Sequence, residues 1–338
     1  MIGVCLIGAG RAGMIHARNF ASRVPHAKMV AVADPFQAAL DSAKTELALD
    51  TGYLDYRDAL EDKNVQAVVI VSPTKYHREI AIAAANAGKH ILCEKPMAMD
   101  EAECDEMIAA ANRNGVKLQI GFMRRYDESF VEAKKRIESG EIGDVVLVSS
   151  HTRGPSVPQP WMYDIQKSNG PLAEVNSHDI DTLRWFTNSE FASIYAVAGN
   201  YRCPDARAAY PDFYDTVTLS ATFHNGMMGH IDGAQGVQYG YDAHTEILGT
   251  RGVIQVGRTS DAFVTSVTPE KGSSTPYITT WRKLFRDAYL EEDIHFIDCI
   301  RQDLPPRVSG LDGKMAVRVV KAGNLSILEK RIVTLEVL

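Results

Sequence analysis

Through the first 120 residues, short unbroken apolar runs alternate with longer stretches whose apolar positions recur at helical spacing. Ile2–Ile7, Lys28–Ala33, Ala67–Val71, Gly88–Leu92 and Val116–Gly121 read as strands. Unbroken runs, as opposed to strictly alternating ones, indicate a sheet covered on both faces. The intervening stretches predict helices from about Met14 to Ser22, Phe36 to Leu47, Arg57 to Glu61, from His77 onward, and from Asp100 to Asn114. Strand–helix alternation of this kind builds a parallel, doubly wound α/β sheet. Beyond residue 121 the pattern changes. Helices are expected over Phe130–Ser139, Pro171–Phe186, Asp287–Ile300 and Gly313–Lys330. Strands are expected at Val145–Ser150, Ile194–Ala198, Val217–Phe223, Met227–Asp232, Thr245–Leu248, Val253–Val256, Phe263–Thr268 and Ile332–Val337. Turns such as His224-Asn225-Gly226 join them as in an antiparallel meander. Thr152 to Trp161 reads as a proline-rich loop.

Composition narrows the class. The chain has 338 residues, 45% of them apolar and 23% charged, which suits a globular protein of two domains. The formal net charge is -7 and no long basic run occurs, which argues against nucleic acid or an anionic membrane as partner. No apolar run approaches the roughly 20 residues that span a bilayer. The five cysteines are scattered and odd in number, a pattern of neither a disulfide framework nor a metal knuckle. Together with an N-terminus that enters a strand directly, without a basic leader segment, this leads us to expect a cytoplasmic protein.

Candidate chemistry begins at the first strand's end. Gly8-Ala9-Gly10-Arg11-Ala12-Gly13 stands between strand and helix, the context that a dinucleotide fingerprint requires. Gly8 permits the tight turn, Gly10 lets backbone approach a pyrophosphate, and Gly13 allows close helix–strand packing. Asp34 ends the second strand, where a carboxylate accepts from ribose hydroxyls and repels a 2'-phosphate. Pro35 and Phe36 offer that phosphate no cation, so NAD is expected over NADP, with Arg11 as the one guanidinium within reach. Ser72-Pro73-Thr74 and His77 follow the buried strand Ala67–Val71 and are candidates for the nicotinamide side; a helix cap with a solvated histidine is the plainer alternative. Cys93-Glu94-Lys95-Pro96 ends the next strand. Pro96 holds Lys95 extended, at the sheet edge where ligands of such folds bind.

In the second half, Glu174 and His178 are spaced to share one helix face. A carboxylate beside an imidazole suits a general base working near neutral pH. A surface ion pair is the plainer alternative, and Glu174, His178, Asp179 and Asp181 lack the second histidine cluster of a metal site, so no metal is expected. Arg153, Trp161 and Tyr163 are candidate sugar-facing residues of the loop.

The glycine turn, Glu94-Lys95-Pro96 and His178 together resemble the Gfo/Idh/MocA family of nicotinamide-dependent oxidoreductases, across essentially the whole chain. Gly121-Phe122-Met123-Arg124-Arg125-Tyr126-Asp127, Tyr239-Gly240-Tyr241-Asp242 and Val308-Ser309-Gly310-Leu311-Asp312-Gly313 are similar to its inositol dehydrogenase branch. The resemblance implies a Rossmann domain, here 1–121. It also implies an α+β domain, here 122–338, whose large, mostly antiparallel open sheet carries the substrate site and the interface of a homo-oligomer, dimer or tetramer. It assigns catalysis to Lys95 and His178, and a substrate pocket to Met123, Arg124, Thr152, Glu174 and Tyr241. Glu174 stands where the inositol dehydrogenases carry Asp, and Thr152 where some carry His. The expected activity is NAD-dependent oxidation of a ring hydroxyl of a cyclitol or sugar. A redox-neutral glycosidase and a non-catalytic NAD-binding regulator are the alternatives from other classes.

Overall fold

The computed structural model describes residues 1–257, 265–270 and 272–337. The chain forms two compact units, Met1–Tyr126 with Asp287–Val317, and Asp127–Arg286 with Arg318–Leu338. Each is described by itself.

The first unit contains six parallel strands: β1 (Ile2–Ile7), β2 (Ala27–Ala33), β3 (Gly52–Tyr53), β4 (Ala67–Ile70), β5 (His90–Glu94) and β6 (Leu118–Gly121). Their spatial order is β3-β2-β1-β4-β5-β6. The chain builds outward from β1 in one direction, then returns to lay β4 on its other side. That reversal opens a crevice at the carboxyl ends of β1 and β4, the ligand position of doubly wound sheets. Helices α1 (Gly13–Ser22), α2 (Gln37–Leu47), α3 (Tyr56–Glu61), α4 (His77–Asn86) and α5 (Glu101–Asn114) make the crossovers. Their ends follow local chemistry. Asp55 and Asp100 cap α3 and α5 by accepting from Arg57 and Glu103 N–H groups, and Gly115 ends α5 with φ +65°.

A single cut at 121/122 is not how the structure divides. Residues 287–317 return to the first unit because Phe296 and Ile297 pack into the core formed by Val4, Leu6, Met29, Val69 and Leu92. Burying those two side chains stabilises the unit by about 1.5–3 kcal/mol each, which the strands and helices of 1–121 alone would lack.

The second unit runs through α6 (Glu128–Glu138), β7 (Val145–Gly154), α7 (Ile165–Ser168), α8 (Gly170–Glu174), α9 (Ser177–Thr187), β8 (Phe191–Gly199), β9 (Thr216–Phe223), β10 (Met228–Gln235), β11 (Asp242–Gly249) and β12 (Val253–Val256). A small hairpin of β13 (Ser266–Thr268) and β14 (Gly272–Ser274) and then α10 (Trp281–Leu284) follow; α11 (Arg286–Gln302) belongs to the first unit from Asp287 onward, α12 (Gly310–Glu329) to the second from Arg318 onward, and β15 (Val333–Thr334) completes the second unit's sheet. Seven strands form one sheet in the order β12-β11-β7-β10-β9-β8-β15. Only β8-β9-β10 is a simple meander; β10 then pairs with β7 in parallel, so the sheet is mixed. Of the expected strand Phe263–Thr268, Phe263 and Val264 lie outside the described residues.

Two expectations are corrected here. The strand expected to end at Ser150 continues through Thr152, Arg153 and Gly154, because β11 and β10 pair with it on both sides to that point. The helix expected from Pro171 to Phe186 is broken at Val175 and Asn176. The N–H groups of both Val175 and Asn176 donate to the Pro171 carbonyl, at 2.9 and 3.2 Å. The second bond reaches five residues back and widens the turn. Asn176 is held there by donating its amide to Asp179 (2.8 Å) and by lying flat on Gly233 of β10, where a Cβ would stand 2.2 Å from its oxygen.

Candidate active site

In the first unit the glycine turn has the shape of a dinucleotide cradle. Gly8 adopts φ +101°, and any Cβ there would come within 2.7 Å of the Val71 carbonyl. At Gly13 a Cβ would stand 2.1 Å from the Gly8 carbonyl, so α1 begins hard against the turn. At Gly10 nothing lies within 4 Å of a Cβ, which leaves the outer side of the turn open to a ligand. Gly10 and Arg11 are exposed and Ala12 is half-buried. Ala12 precedes α1 with no side-chain cap, and the helix has no acid in its first turn, so its N-terminal dipole is not satisfied by its own side chains. These residues fit a pyrophosphate. Asp34 is buried, and its two carboxylate oxygens accept the N–H of Ala9 (2.8 Å) and of Phe36 (2.9 Å). It therefore ties β2 to the turn, with the remaining lone pairs available to ribose hydroxyls.

The ends of β4 and β5 are joined by His77. Its ring is 1% exposed, with Nδ1 at 2.8 Å from the Pro96 carbonyl and Nε2 at 2.7 Å from the Ser72 carbonyl. The solvated histidine is thus excluded. Burial presses the ring towards its neutral form, while the two carbonyls, which only accept, favour a proton on each nitrogen. The Ser72 hydroxyl is enclosed and has no hydrogen-bond partner among the described residues, a vacancy suited to a ligand's polar group. Thr74 is buried and Pro73 exposed beside it. Lys95 is half-buried, directly after β5, and its peptide bond to Pro96 is cis. Its N–H donates to the Glu94 carboxylate at 3.0 Å. Met123 and Arg124, just past β6, are each 1% exposed.

Behind this strand end lies a buried charge cluster that the sequence reading missed. His16 of α1 is fully buried, with Nε2 at 3.1 Å from Glu94 and Nδ1 at 2.6 Å from Asp293 of α11. Burial opposes its charge, but Asp293 and Glu94 outweigh that and hold its pKa well above 6.5. Asn19, one turn along α1, donates to the other oxygen of Asp293 at 2.8 Å. His16, Glu94 and Glu292 have ligand-type atoms within 4.8 Å of one another. Both ring nitrogens of His16 already face carboxylate acceptors, so the cluster reads as an ion network. The available signal was the pair His16 and Asn19, polar residues three apart on an otherwise apolar-facing helix.

In the second unit, His178 is buried as the second residue of α9, and half-buried Glu174 closes α8. They stand on either side of the break, so they do not belong to one uninterrupted helix. The neighbour of His178, Asp179, is 0% exposed and accepts from Ser150 (2.6 Å), Thr152 (2.8 Å) and Asn176 (2.8 Å). Thr152 is therefore a donor in the network beneath His178. Arg153, the next residue of β7, points to the opposite face, as strand alternation requires. There it makes a two-pronged ion pair with Asp232, at 3.0 and 2.5 Å. Thr152 and Arg153 cannot both line one pocket. Tyr241 is buried with its ring edge over Gly154, while Trp161 is 51% exposed. On the same outer face as Arg153, the rings of His151 and His244 stack at 4.4 Å, and Asp242 binds His244 Nδ1 at 2.6 Å.

Known proteins agree with this architecture. The profile described as "Oxidoreductase family, NAD-binding Rossmann fold" matches residues 2–122, and the GFO/IDH/MocA C-terminal domain matches residues 130–255. A protein of Thermotoga maritima named myo-inositol 2-dehydrogenase is 35% identical over 331 residues, 98% of each chain. A scyllo-inositol 2-dehydrogenase (NAD(+)) of Bacillus subtilis is 32% identical over 335 residues, 98% of this chain and 96% of that one. The crystal structure of scyllo-inositol dehydrogenase from Lactobacillus casei, with bound NAD(H) and scyllo-inositol, superposes with a TM-score of 0.91 at 29% identity, covering 99% of both chains. With a dinucleotide turn, a Glu94-Lys95-Pro96 strand end and matches to both domain profiles, the chain belongs to the Gfo/Idh/MocA family of oxidoreductases.

Proposed function

We propose that this protein is an NAD-dependent inositol dehydrogenase that oxidises one ring hydroxyl of a cyclitol to the ketone. The observation that carries the reading is the Lys95 strand end, fixed through Glu94 and His77 at the carboxyl edge of a sheet whose glycine turn is open at Gly10. Relatives of the same length and family, named for myo- and scyllo-inositol, support the substrate class. NAD supplies the hydride acceptor. In this assignment Gly8, Gly10, Arg11, Ala12 and Gly13 hold the pyrophosphate and Asp34 the adenosine ribose. Ser72, Pro73, Thr74, His77 and Glu94 shape the nicotinamide side. Asp34, with Pro35 and Phe36 after it, supports NAD over NADP.

His178 takes the hydroxyl proton as base. Lys95 holds the same oxygen and stabilises the charge that develops on it. Glu174 orients the base or binds a neighbouring hydroxyl, and Met123, Arg124, Trp161 and Tyr241 set the shape of the substrate site, with Arg153, paired to Asp232 on the opposite face of β7, outside it. Thr152 contributes through Asp179. The free cysteines, all buried, support a reducing compartment such as the cytoplasm. The outer sheet face carries exposed Tyr195, Val197, Met228, Leu248 and Val253, which supports self-association of two or four copies.

The test is cofactor reduction with myo-inositol, scyllo-inositol and aldose sugars, offered with NAD and NADP separately. Lys95→Met should lower kcat by about 10²–10³-fold, the usual cost of removing one oxyanion donor, and leave NAD affinity intact. Unchanged turnover would remove Lys95 from the mechanism.

A further inference from the structure

We propose that His16 is a positioning residue for the reaction, fixing Lys95 through the Glu94 carboxylate. The inference rests on the reading above that Lys95 is catalytic. Its observation is a chain of short bonds inside the first unit. Asp293 of α11 is gripped by two residues of α1, His16 (2.6 Å) and Asn19 (2.8 Å). The far nitrogen of His16 holds one oxygen of Glu94 at 3.1 Å, and the other Glu94 oxygen receives the Lys95 N–H at 3.0 Å. Gly121 closes the remaining side, since a Cβ there would stand 3.0 Å from the Glu94 carboxyl carbon. Glu94 thus has one arrangement, and the backbone of Lys95 shares it.

Carboxylates at both ring nitrogens favour the ring as a cation. The groups facing it are Asp293 and Glu292 from α11 and Glu94 from the end of β5, with the Tyr289 ring edge-on at 5.3 Å. Two of these carboxylates are hydrogen-bonded to the imidazole, and all three are buried. Without the imidazolium, Glu94 is an anion in a dry site with its counter-charge gone. It then turns or takes a proton, and the Lys95 backbone moves with it. Displacement of a catalytic group by about 1 Å costs on the order of 10²-fold in rate.

The experiment uses the full-length enzyme with NAD and its best cyclitol. His16→Gln is expected to lower kcat roughly 10²-fold while the Kd for NAD and the KM for the cyclitol stay near wild type. His16→Gln combined with Glu94→Gln should be no slower than Glu94→Gln alone, because both act through one contact. Asp293→Asn keeps the ring in place and removes one of its carboxylates. Its kcat should fall as pH rises through an ionisation lowered by the loss of that carboxylate, a limb that the wild-type profile shows only at higher pH. If His16→Gln does not fold, the Asp293→Asn profile decides. Wild-type kcat in His16→Gln, additive losses in the double variant, or a wild-type pH profile in Asp293→Asn each overturns the proposal. Lys95→Met, run in parallel, separates the two ideas. An inactive Lys95→Met beside a normal His16→Gln sinks only the positioning role, whereas a fully active Lys95→Met sinks both.

Discussion

Two glycines of one turn should respond in opposite ways to the same added methyl group. At Gly13 a Cβ would stand 2.1 Å from the Gly8 carbonyl oxygen, a backbone atom that can move only by shifting the turn or the helix. Ordinary contact needs more than an ångström of extra room, and overpacking of that kind costs about 1–3 kcal/mol. For a unit of this size each kcal/mol lowers Tm by about 2–4 °C, so Gly13→Ala should melt roughly 2–12 °C lower. It should also bind NAD weakly, because the displaced helix start is the proposed anion site. At Gly10 nothing lies within 4 Å of the new Cβ, and the backbone is not in the left-handed region. Gly10→Ala should therefore keep its Tm, or gain the few tenths of a kcal/mol that come from a stiffer unfolded chain. Its methyl group occupies the open side of the turn, so NAD affinity should drop at least about tenfold, or 1.4 kcal/mol. Differential scanning calorimetry of the apo-proteins and NAD titration by calorimetry read the two effects separately. Gly10→Ala with undiminished NAD affinity would refute the placement of the pyrophosphate. Gly13→Ala with an unchanged Tm would refute the packing argument.

Two further perturbations probe the second unit. Asp179→Ala removes the shared acceptor of the buried donors Ser150, Thr152 and Asn176; Ser150 keeps Thr245 Oγ1 at 3.0 Å, so unfolding in urea should show a loss of about 1–3 kcal/mol, the cost of leaving a buried donor without its acceptor, and an unshifted midpoint would contradict the network. On the outer face, the Asp242 hydrogen bond raises the His244 pKa, whereas burial and then the His244 charge lower that of the stacked His151. The stability that His244 adds is fully present below its unfolded pKa of about 6.5 and is lost as pH rises through the raised folded value. Its side chain is 41% exposed, so screening keeps that contribution small. An NMR titration should place the two rings on opposite sides of 6.5, with Asp242→Asn bringing His244 back; a His244 value at or below 6.5 in the unaltered protein would contradict this.

The Rossmann half was legible because its signals are local. Unbroken runs such as Ala67–Ile70 mark buried strands, glycines mark the turn, and Asp55 and Asp100 mark helix starts. The return of Phe296 and Ile297 to that half was not legible, since an amphipathic helix does not state which core its apolar side joins. The end of β7 was misread for a related reason. Thr152-Arg153-Gly154-Pro155 has turn composition, but β10 and β11 supply ladder partners on both sides, and tertiary pairing outweighs propensity. The break between α8 and α9 depends on Gly233, a residue far away in sequence that leaves room for the Asn176 side chain. Helical spacing correctly counts four residues from Glu174 to His178 and cannot see that the turn between them is widened.

The polar groups that escaped the sequence reading share a physical character. His16 and Asp293 in one unit, and Asp179 with Asn176 in the other, are buried, so their positions look like core positions and their chemistry looks out of place. Replacing such networks with apolar side chains of similar volume is often neutral or stabilising, so stability alone is a weak reason for their presence. Each lies one bond or one residue from a group assigned to the reaction: His16 holds Glu94, whose carboxylate binds the Lys95 N–H, and Asp179 follows His178 in α9. A fully satisfied buried network admits few alternative arrangements, because every alternative leaves a donor or a charge unpaired. In the proposed assignment a lysine meets a developing alkoxide and a base meets its proton, and both require that restriction. The two networks are therefore the parts of this chain where geometry outweighs stability, and substitutions there should change turnover out of proportion to their effect on ligand affinity.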